Sequence, residues 1–507
     1  MTLARAMSVA LVGVVGHVVE VEADLASGLP GLVIVGLPDA SLSEARDRVR
    51  AAVVNSGHGW PQRRITLGLS PATLPKYGSG FDLAMAAAIL VAAGLAPAGA
   101  LHERALVGEL GLDGRVRPVR GVLPAAMAAA RAGLRGVVVP SHNRREAALV
   151  PGLEVCGVAT LTALVSWLRG EQAVDDGEPP VPVPAVEAPW PDLVDVVGQE
   201  YGREALEVAA AGGHHLLFVG PPGAGKTMLA ERMPGLLPPL DLDAALEVTA
   251  VHSVAGVLPP GAPLVDRPPY QAPHHSASVA ALVGGGTGLA RPGALSLAHR
   301  GVLFLDEAPE FPGGVLDALR QPLERGEVVL ARSGGVTHYP ARVQLVLAAN
   351  PCPCSSPLGD QACTCTAVAR RRYLGRLSGP LLDRIDLQVE INAVGRAALL
   401  ADAAGLEPTS VVRKRVAAAR AAAADRLAGT GWRTNAEVPG QVLRNRWRLA
   451  RSVRLSADLG LERGELSARG YDRVLRIAWT LADLGGRTQP DAGDVGAAYH
   501  LRTRRAA

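Results

Sequence analysis

The sequence predicts an α/β protein with a parallel sheet at its centre and a helical C-terminal region. Three observations support this prediction. Short apolar segments alternate with helical ones, a glycine-rich turn joins one such segment to a helix at 220–227, and strand patterns stop near residue 395. Parallel strands are short apolar runs because helices cover both faces of their sheet. Apolar residues make up 48% of the chain and charged residues 20%, which excludes a disordered protein or a coiled coil.

Composition divides the 507 residues into four segments. Residues 1–170 alternate β-like and alanine-rich helical patterns and predict an N-terminal α/β domain. Residues 171–192 are rich in proline and acidic side chains and predict a linker that cannot bury a core. We expect an α/β core over 193–394 and a helical domain over 395–507, where Ala, Arg and Leu recur at helical spacing.

Bulk properties limit the partners and the compartment. A net charge of +3 does not by itself indicate nucleic acid, so any basic surface must be local. The longest apolar run, 83–93, is shorter than the ~20 residues of a membrane helix, and we expect no membrane association. Four of the five cysteines cluster at 352–365, which is typical of a metal site in a reducing compartment. We therefore expect a cytoplasmic protein.

The strongest motif follows the short apolar segment 215–219. It consists of Gly220, Pro221, Pro222, Gly223, Ala224, Gly225, Lys226 and Thr227, and a helical pattern comes next. In this context glycines let backbone N–H groups surround phosphate oxygens, and the helix N-terminus adds positive partial charge. Lys226 is one of only three lysines among 51 basic residues, which disfavours the alternative of an ordinary glycine turn. We expect Lys226 to contact the β- and γ-phosphates of ATP and Thr227 to bind Mg²⁺.

A second apolar segment, 301–305, ends in the carboxylates Asp306 and Glu307. Carboxylates at the C-terminal edge of a parallel sheet lie beside the phosphate loop. We expect Asp306 to hold Mg²⁺ and Glu307 to act as the catalytic base that orients an attacking water. A second carboxylate favours a hydrolase over a nucleotide-binding switch.

At this point the chain resembles the AAA+ family, in the branch that contains magnesium chelatase ATPase subunits and ComM/YifB-type bacterial proteins. The resemblance extends over nearly the whole chain and rests on several unusual strings. They are Val35 to Asp39, Gly198 to Glu200, Ala272 to His275, Leu297 to His299, Gly301 to Pro312, Ala349 to Cys354, Leu381 to Asp386 and Leu466 to Gly470.

The resemblance implies an AAA+ fold and three further site residues. Asn350 resembles the sensor-1 residue that hydrogen-bonds the attacking water or the γ-phosphate. Arg384 resembles the arginine finger that one subunit supplies to its neighbour's ATP, and Arg469 resembles sensor 2, which contacts the γ-phosphate. Planar cations suit the charge that develops on a transferring phosphoryl group. A finger acting between subunits implies a homo-oligomeric ring, and the family resemblance implies that this ring is a hexamer. The alternative is that both arginines form surface ion pairs.

Two glycine-rich segments are candidates for contact with DNA. The first is Gln271 to Pro292, which ends near Arg291, and the second is Glu327 to Arg342, which predicts a β-hairpin around Arg332. The resemblance implies that both face the pore of the ring. Basic loops with an exposed backbone suit a nucleic-acid strand, single-stranded or branched. The alternative is two surface loops without a ligand.

The clustered cysteines are Cys352, Cys354, Cys363 and Cys365. Thiolates suit tetrahedral Zn²⁺, and two close pairs are a common way to present four of them. We therefore expect a structural zinc site behind Asn350. Iron–sulphur ligation and unliganded thiols remain alternatives.

The N-terminal domain is similar to the proteolytic domain of Lon proteases, in the strings around Pro75 to Asp82 and Gly114 to Pro140. That family uses a Ser–Lys dyad. Here the nucleophile's position falls on Gly80, one residue from Ser79, and the lysine's position falls on Leu123. With no base expected near Ser79, we interpret the domain as an inactive scaffold or binding module.

Three functions follow from these patterns. The first is an ATP-driven ring motor on DNA, a helicase or branch-migration factor of the ComM type that serves natural transformation or recombination. The second is a magnesium chelatase-type ATPase subunit that drives metal insertion with partner proteins. The third, an ATP-dependent protease, is disfavoured by Gly80 and Leu123.

Overall fold

The computed structural model describes residues 3–36, 40–171, 190–258, 264–286, 290–332, 335–354, 363–394 and 406–503. Of the string at 35–39, residues 37–39 lie outside this part of the chain, as do 172–189 and 395–405, where most of the predicted linker and the start of the predicted helical domain fall. The predicted domain boundaries therefore stay predictions.

The N-terminal part of the chain, residues 3–171, is built on one mixed sheet. Its strands and helices, in chain order, are β1 (Leu3–Val12), β2 (Val15–Ala26), β3 (Gly31–Val35), α1 (Ala40–Asn55), β4 (Arg64–Ser70), α2 (Asp82–Ala92), β5 (Arg104–Leu106), β6 (Glu109–Leu110), β7 (Val116–Arg117), α3 (Val122–Arg131), β8 (Gly136–Pro140), α4 (Arg144–Ala147), β9 (Glu154–Val158) and α5 (Leu161–Leu168). Seven strands form the sheet, in the order β3-β4-β2-β1-β5-β8-β9. The longest apolar run of the sequence forms α2, and every residue of this helix is buried. A helix that is apolar on all sides is expected in a core.

The phosphate loop belongs to a second sheet, made of parallel strands. Elements from 200 to 394 are α6 (Glu200–Gly212), β10 (Leu216–Val219), α7 (Lys226–Leu236), α8 (Leu242–Ala255), β11 (Tyr270–Gln271), α9 (Val279–Leu282), β12 (Gly284–Gly285), β13 (Arg291–Pro292), α10 (Ala294–Leu297), β14 (Val302–Leu305), α11 (Gly313–Ala318), α12 (Arg320–Arg325), β15 (Glu327–Arg332), β16 (Gly335–Pro340), β17 (Gln344–Ala349), α13 (Ala367–Leu374), α14 (Gly379–Leu382) and β18 (Leu387–Glu390). Five of these strands form the sheet, in the order β11-β14-β17-β10-β18. The predicted hairpin is the antiparallel pair β15 and β16.

The C-terminal region is helical in its described part. Its helices are α15 (Thr409–Leu427), α16 (Gly440–Arg444), α17 (Leu455–Glu462), α18 (Ala468–Leu484) and α19 (Ala492–Thr503). Leu216 and Phe218 of β10 share one hydrophobic core with these helices, whereas Leu217 and Val219 point into a separate core on the opposite face. Strand side chains alternate in direction, so both faces of the sheet are covered. The predicted fold class, an α/β protein with a parallel AAA+-type sheet and a helical C-terminal region, is confirmed.

The N-terminal part packs against the second sheet's helices. Residues of α3 and of α8, such as Leu123 and Ala250, belong to one hydrophobic cluster. At this contact the buried carboxylate of Glu146 accepts hydrogen bonds from Leu123 N–H at 2.8 Å, from Asn143 Nδ2 at 3.0 Å and from the Ser253 hydroxyl. Because a buried carboxylate is stable only when its oxygens have donors, this network ties the two parts together.

Candidate nucleotide site

The phosphate loop lies between the carboxyl end of β10 and the first turn of α7. Gly223 and Gly225 have φ values of +75° and +93°, a conformation that favours glycine. The side chain of Lys226, buried at 7% exposure, donates hydrogen bonds to Gly220 O at 2.7 Å, Pro221 O at 2.8 Å and Asn350 Oδ1 at 3.0 Å. Burial lowers the pKa of Lys226, while Asp306 and Glu307 oppose this shift. The ammonium group of Lys226 thus lies at the centre of the loop, next to the carboxyl end of the parallel sheet.

The two predicted carboxylates lie at the same edge, after β14. Thr227 Oγ1 donates a hydrogen bond to Asp306 Oδ2 at 2.6 Å, so the two proposed Mg²⁺ ligands are already adjacent. Hydroxyl and carboxylate oxygens are the hard ligands that Mg²⁺ prefers, and this pair fits such an ion. Glu307 has a φ of +49°, which is uncommon for a residue with a side chain. Its Oε2 lies 3.2 Å from His275 Nδ1.

The two predicted arginines lie at the opposite end of this sheet. Arg384 precedes β18, whose first residue, Leu387, pairs with Leu216 at the start of β10. A strand of four residues spans about 13 Å, and this length separates the start of β10 from the phosphate loop at its end. Arg384 Nη2 contacts Glu324 Oε2 at 2.7 Å, and Arg469 Nη1 lies 3.7 Å from Asp383 Oδ2. The structure therefore brings Lys226, Thr227, Asp306, Glu307 and Asn350 together and places Arg384 and Arg469 away from them.

The two candidate DNA segments pack against each other. Tyr339 of β16 donates a hydrogen bond to Ala290 O at 2.6 Å, and a Cβ atom at Gly285 would lie 3.3 Å from Arg332 Nη2. Arg291, Arg332 and Arg342 are all exposed. Residues 287–289 and 333–334 of these segments lie outside the described residues. Two glycine-rich elements with exposed arginines are therefore in contact with each other.

The four clustered cysteines come together in space. Their sulphur atoms all lie within 4.8 Å of one another, and the Cys352–Cys354 and Cys352–Cys363 separations are 3.2 and 3.4 Å. Sulphur atoms around a tetrahedral Zn²⁺ are about 3.8 Å apart, given Zn–S bonds of about 2.3 Å. The donor set and its spacing fit Zn²⁺.

The N-terminal part corrects one expectation. Ser79 does have a carboxylate partner, because its hydroxyl donates a hydrogen bond to Glu109 Oε2. Leu123, at the position of the Lon lysine, is fully buried, and its backbone N–H is bound to Glu146. Ser79 is therefore paired with a carboxylate rather than with the lysine that the Lon dyad uses. A lone carboxylate is a weak base toward a hydroxyl group, so the pair does not reproduce the activated serine of that family.

Sequence reasoning did not anticipate two contacts of the nucleotide site. His275 touches Glu307, and Gln199 Nε2 donates hydrogen bonds to Ala224 O and Asn392 O, both at 2.7 Å. Both residues stand in strings that carry the family resemblance, but nothing in those strings indicates which side chain they touch. Elsewhere, no helix within the described residues has the length and apolar character needed to cross a bilayer.

Comparisons with known proteins match most of the chain to one family. Three family profiles match parts of the chain: "Magnesium chelatase, subunit ChlI" at 192–399, "Subunit ChlI of Mg-chelatase" at 21–143 and "Magnesium chelatase, subunit ChlI C-terminal" at 406–502. A stretch of 139 residues, 26% of this chain, is 31% identical to a Lon protease of Azospirillum brasilense, of which it covers 17%. That match supports the Lon-like interpretation of the N-terminal part.

Full-length relatives give the same result. An uncharacterized protein of Mycobacterium tuberculosis is 58% identical over 502 residues, which cover 99% of each chain. The uncharacterized protein YifB of Escherichia coli is 42% identical over 99% of this chain and 96% of its own. The competence protein ComM of Haemophilus influenzae is 41% identical over 96% of this chain and 95% of its own. The chain belongs to the ComM/YifB branch of the magnesium chelatase-like AAA+ family, a family of ATP-binding proteins.

Proposed function

We propose that this protein hydrolyses ATP and uses the energy to move on DNA as a ring of identical subunits. The observation that carries the first half is the grouping of Lys226, Thr227, Asp306 and Glu307 at one sheet edge. When ATP binds, Lys226 would replace its hydrogen bonds to the carbonyl groups of Gly220 and Pro221 with hydrogen bonds to β- and γ-phosphate oxygens. Thr227 and Asp306 would hold Mg²⁺, which neutralises phosphate charge when bound. Glu307 would accept a proton from the attacking water, and Asn350 would orient that water.

A subunit ring explains the position of the two arginines. Arg384 and Arg469 lie at the far end of the sheet from their own phosphate loop and line one cleft of about 1550 Å³. This cleft is larger than a typical small-molecule site and suits the edge of a neighbouring subunit. We propose that both arginines contact the ATP of that neighbour, in a hexamer. AAA+ proteins are typically oligomeric, and a head-to-tail contact that closes on itself gives a ring.

The packing of the insert 271–292 against the hairpin 327–342 supports DNA as the substrate of movement. Both elements expose arginines and glycine backbone, which suits a phosphate chain rather than a sequence-specific contact. The name of the relative ComM adds competence as a setting, so we propose helicase or branch-migration activity in natural transformation or recombination. The second candidate is a chelatase-type ATPase subunit with partner proteins, favoured by the description of the matching profiles.

The deciding experiment measures ATP turnover of the purified protein alone and with single-stranded, duplex and four-way-junction DNA. We expect DNA to stimulate turnover and Arg332→Ala to reduce that stimulation, whereas Arg50→Ala, an exposed arginine of α1, leaves it unchanged. Lys226→Ala should abolish turnover, and Glu307→Gln should bind ATP but hydrolyse it about 10²–10³-fold more slowly. Normal turnover in Glu307→Gln would reject its role. If none of the DNA substrates changes the rate of ATP turnover, but a porphyrin and a partner protein raise it, the result would favour the chelatase function.

A further inference from the structure

The amino end of the parallel sheet contains a buried ion pair, between Asp386 and Arg473. Arg473 Nη1 bonds to Asp386 Oδ1, and their side chains are 12% and 2% exposed. The carboxylate also accepts the His215 N–H at 3.2 Å and lies 3.4 Å from His214 Nδ1. Burial, the largest single influence, opposes ionisation of Asp386, but Arg473, His214 and His215 together outweigh it and hold the pKa of this carboxyl well below its usual range. The pair is therefore charged at neutral pH.

A second ion pair joins the same two segments one turn away. Asp383 precedes Asp386 by three residues, and Arg469 precedes Arg473 by four, so the two arginines share one face of α18. The Asp383–Arg469 pair is loose at 3.7 Å, and its side chains are 42% and 65% exposed. An exposed pair exchanges easily with water or another anion. Arg469 is thus free to leave Asp383 for a phosphate, whereas Arg473 stays fixed.

Further contacts fix α18 at the same end of the sheet. Thr480 lies two turns beyond Arg473 on α18, and its Oγ1 forms a hydrogen bond with His214 Nε2 at 2.8 Å. Arg502 of α19 donates to Ile385 O, between Arg384 and Asp386. Together with the Arg473–Asp386 pair, these contacts hold the helix that carries Arg469 against the segment that carries Arg384.

We propose that Asp386 and Arg473 are positioning residues, which hold Arg469 beside Arg384 so that both reach the neighbouring subunit's nucleotide together. This inference rests on the proposed ATPase function. Neither residue is near the subunit's own phosphate loop, so their loss should leave nucleotide binding intact and impair the help given to the neighbour.

The test uses the full-length protein with Arg473→Gln and, as a conservative variant, Arg473→Lys. A matched control is Arg444→Gln, which removes the partner of Asp472, the residue next to Arg473 on α18. For Arg473→Gln we expect unchanged affinity for a fluorescent ATP analogue, an unchanged KM, and a kcat about tenfold or more below that of the parent. Arg473→Lys should recover part of the rate, and Arg444→Gln should stay near the parent.

Mixed rings separate a positioning role from misfolding. Arg473→Gln subunits keep a hydrolytic site, and Glu307→Gln subunits keep their arginines. About a quarter of the interfaces in a random one-to-one mixture combine the two intact halves, so the mixture should regain about a quarter of the parental rate. The inference is overturned if Arg473→Gln turns over normally, if mixing restores nothing, or if Arg444→Gln is equally impaired. If Arg384→Ala also turns over normally, the fault lies in the proposed function itself.

Discussion

Glu307 combines a left-handed backbone with a side chain already engaged by His275. A carboxylate in contact with an imidazole is less available to accept a proton from water. We therefore expect His275→Ala to raise ATP turnover in the absence of DNA about two- to tenfold and to lower the stimulation that DNA adds. His274→Ala is the matched control, since His274 bonds to Ser276 instead. Equal or slower turnover in His275→Ala would contradict this role.

His215 gives a pH dependence of stability. Desolvation lowers the pKa of its imidazole from 6.5 to about 4. As the pH falls below 6.5, His215 becomes protonated in the unfolded chain, whereas in the folded chain it stays neutral until about pH 4. The free energy of unfolding therefore decreases over this range. In His215→Asn the amide oxygen can still accept the Leu345 N–H. We expect this variant to lose about 1–2 kcal/mol less of its free energy of unfolding between pH 7 and pH 5 than the parent. The full pKa shift would give more, but the side chain of His215 is partly exposed to solvent. Urea unfolding at pH 7 and pH 5 measures it, with the exposed His102→Asn as control. Identical losses in parent and variant would argue against it.

At the scale of elements, the cysteine loop should depend on metal. It follows Asn350 directly, so a bound ion would fix the segment behind the nucleotide site. Metal analysis should find about one zinc per chain, and Cys354→Ser should lose most of it and lower the melting temperature, because structural zinc contributes to folding. Cys156→Ser should keep its zinc, since Cys156 lies in the N-terminal part. Iron in place of zinc, or full metal content in Cys354→Ser, would reject this assignment.

The elements of the nucleotide site could be predicted because their chemistry is local. The strand before Gly220, the loop and the start of α7 are contiguous, and the strand before Asp306 has the predicted end at Leu305. Contacts between distant segments could not be predicted. Asp386 and Arg473 are 87 residues apart, and their pairing depends on where α18 packs. The Ser79–Glu109 contact was missed for the same reason, since these residues are 30 positions apart and meet only in the folded chain.

At the scale of the whole molecule, the phosphate loop and Arg384 occupy opposite ends of one sheet. If each site needs a neighbour's arginine, hydrolysis must follow assembly by mass action. We expect turnover per subunit to rise with protein concentration and to reach a plateau where sedimentation shows complete rings, while nucleotide affinity stays constant. Constant turnover per subunit across the range in which the protein is monomeric would exclude a shared site.

The turn between β1 and β2 rests on the hairpin that is proposed to face DNA. A Cβ atom at Gly13 would lie only 2.7 Å from His338 O and 2.8 Å from the Thr337 methyl group, so backbone meets backbone with no room between them. Val14, the next residue, is partly buried and packs against the core to which Val328 and Tyr339 of that hairpin belong. The N-terminal sheet is thus in direct contact with the hairpin, and any displacement of the hairpin would also have to move the turn between β1 and β2.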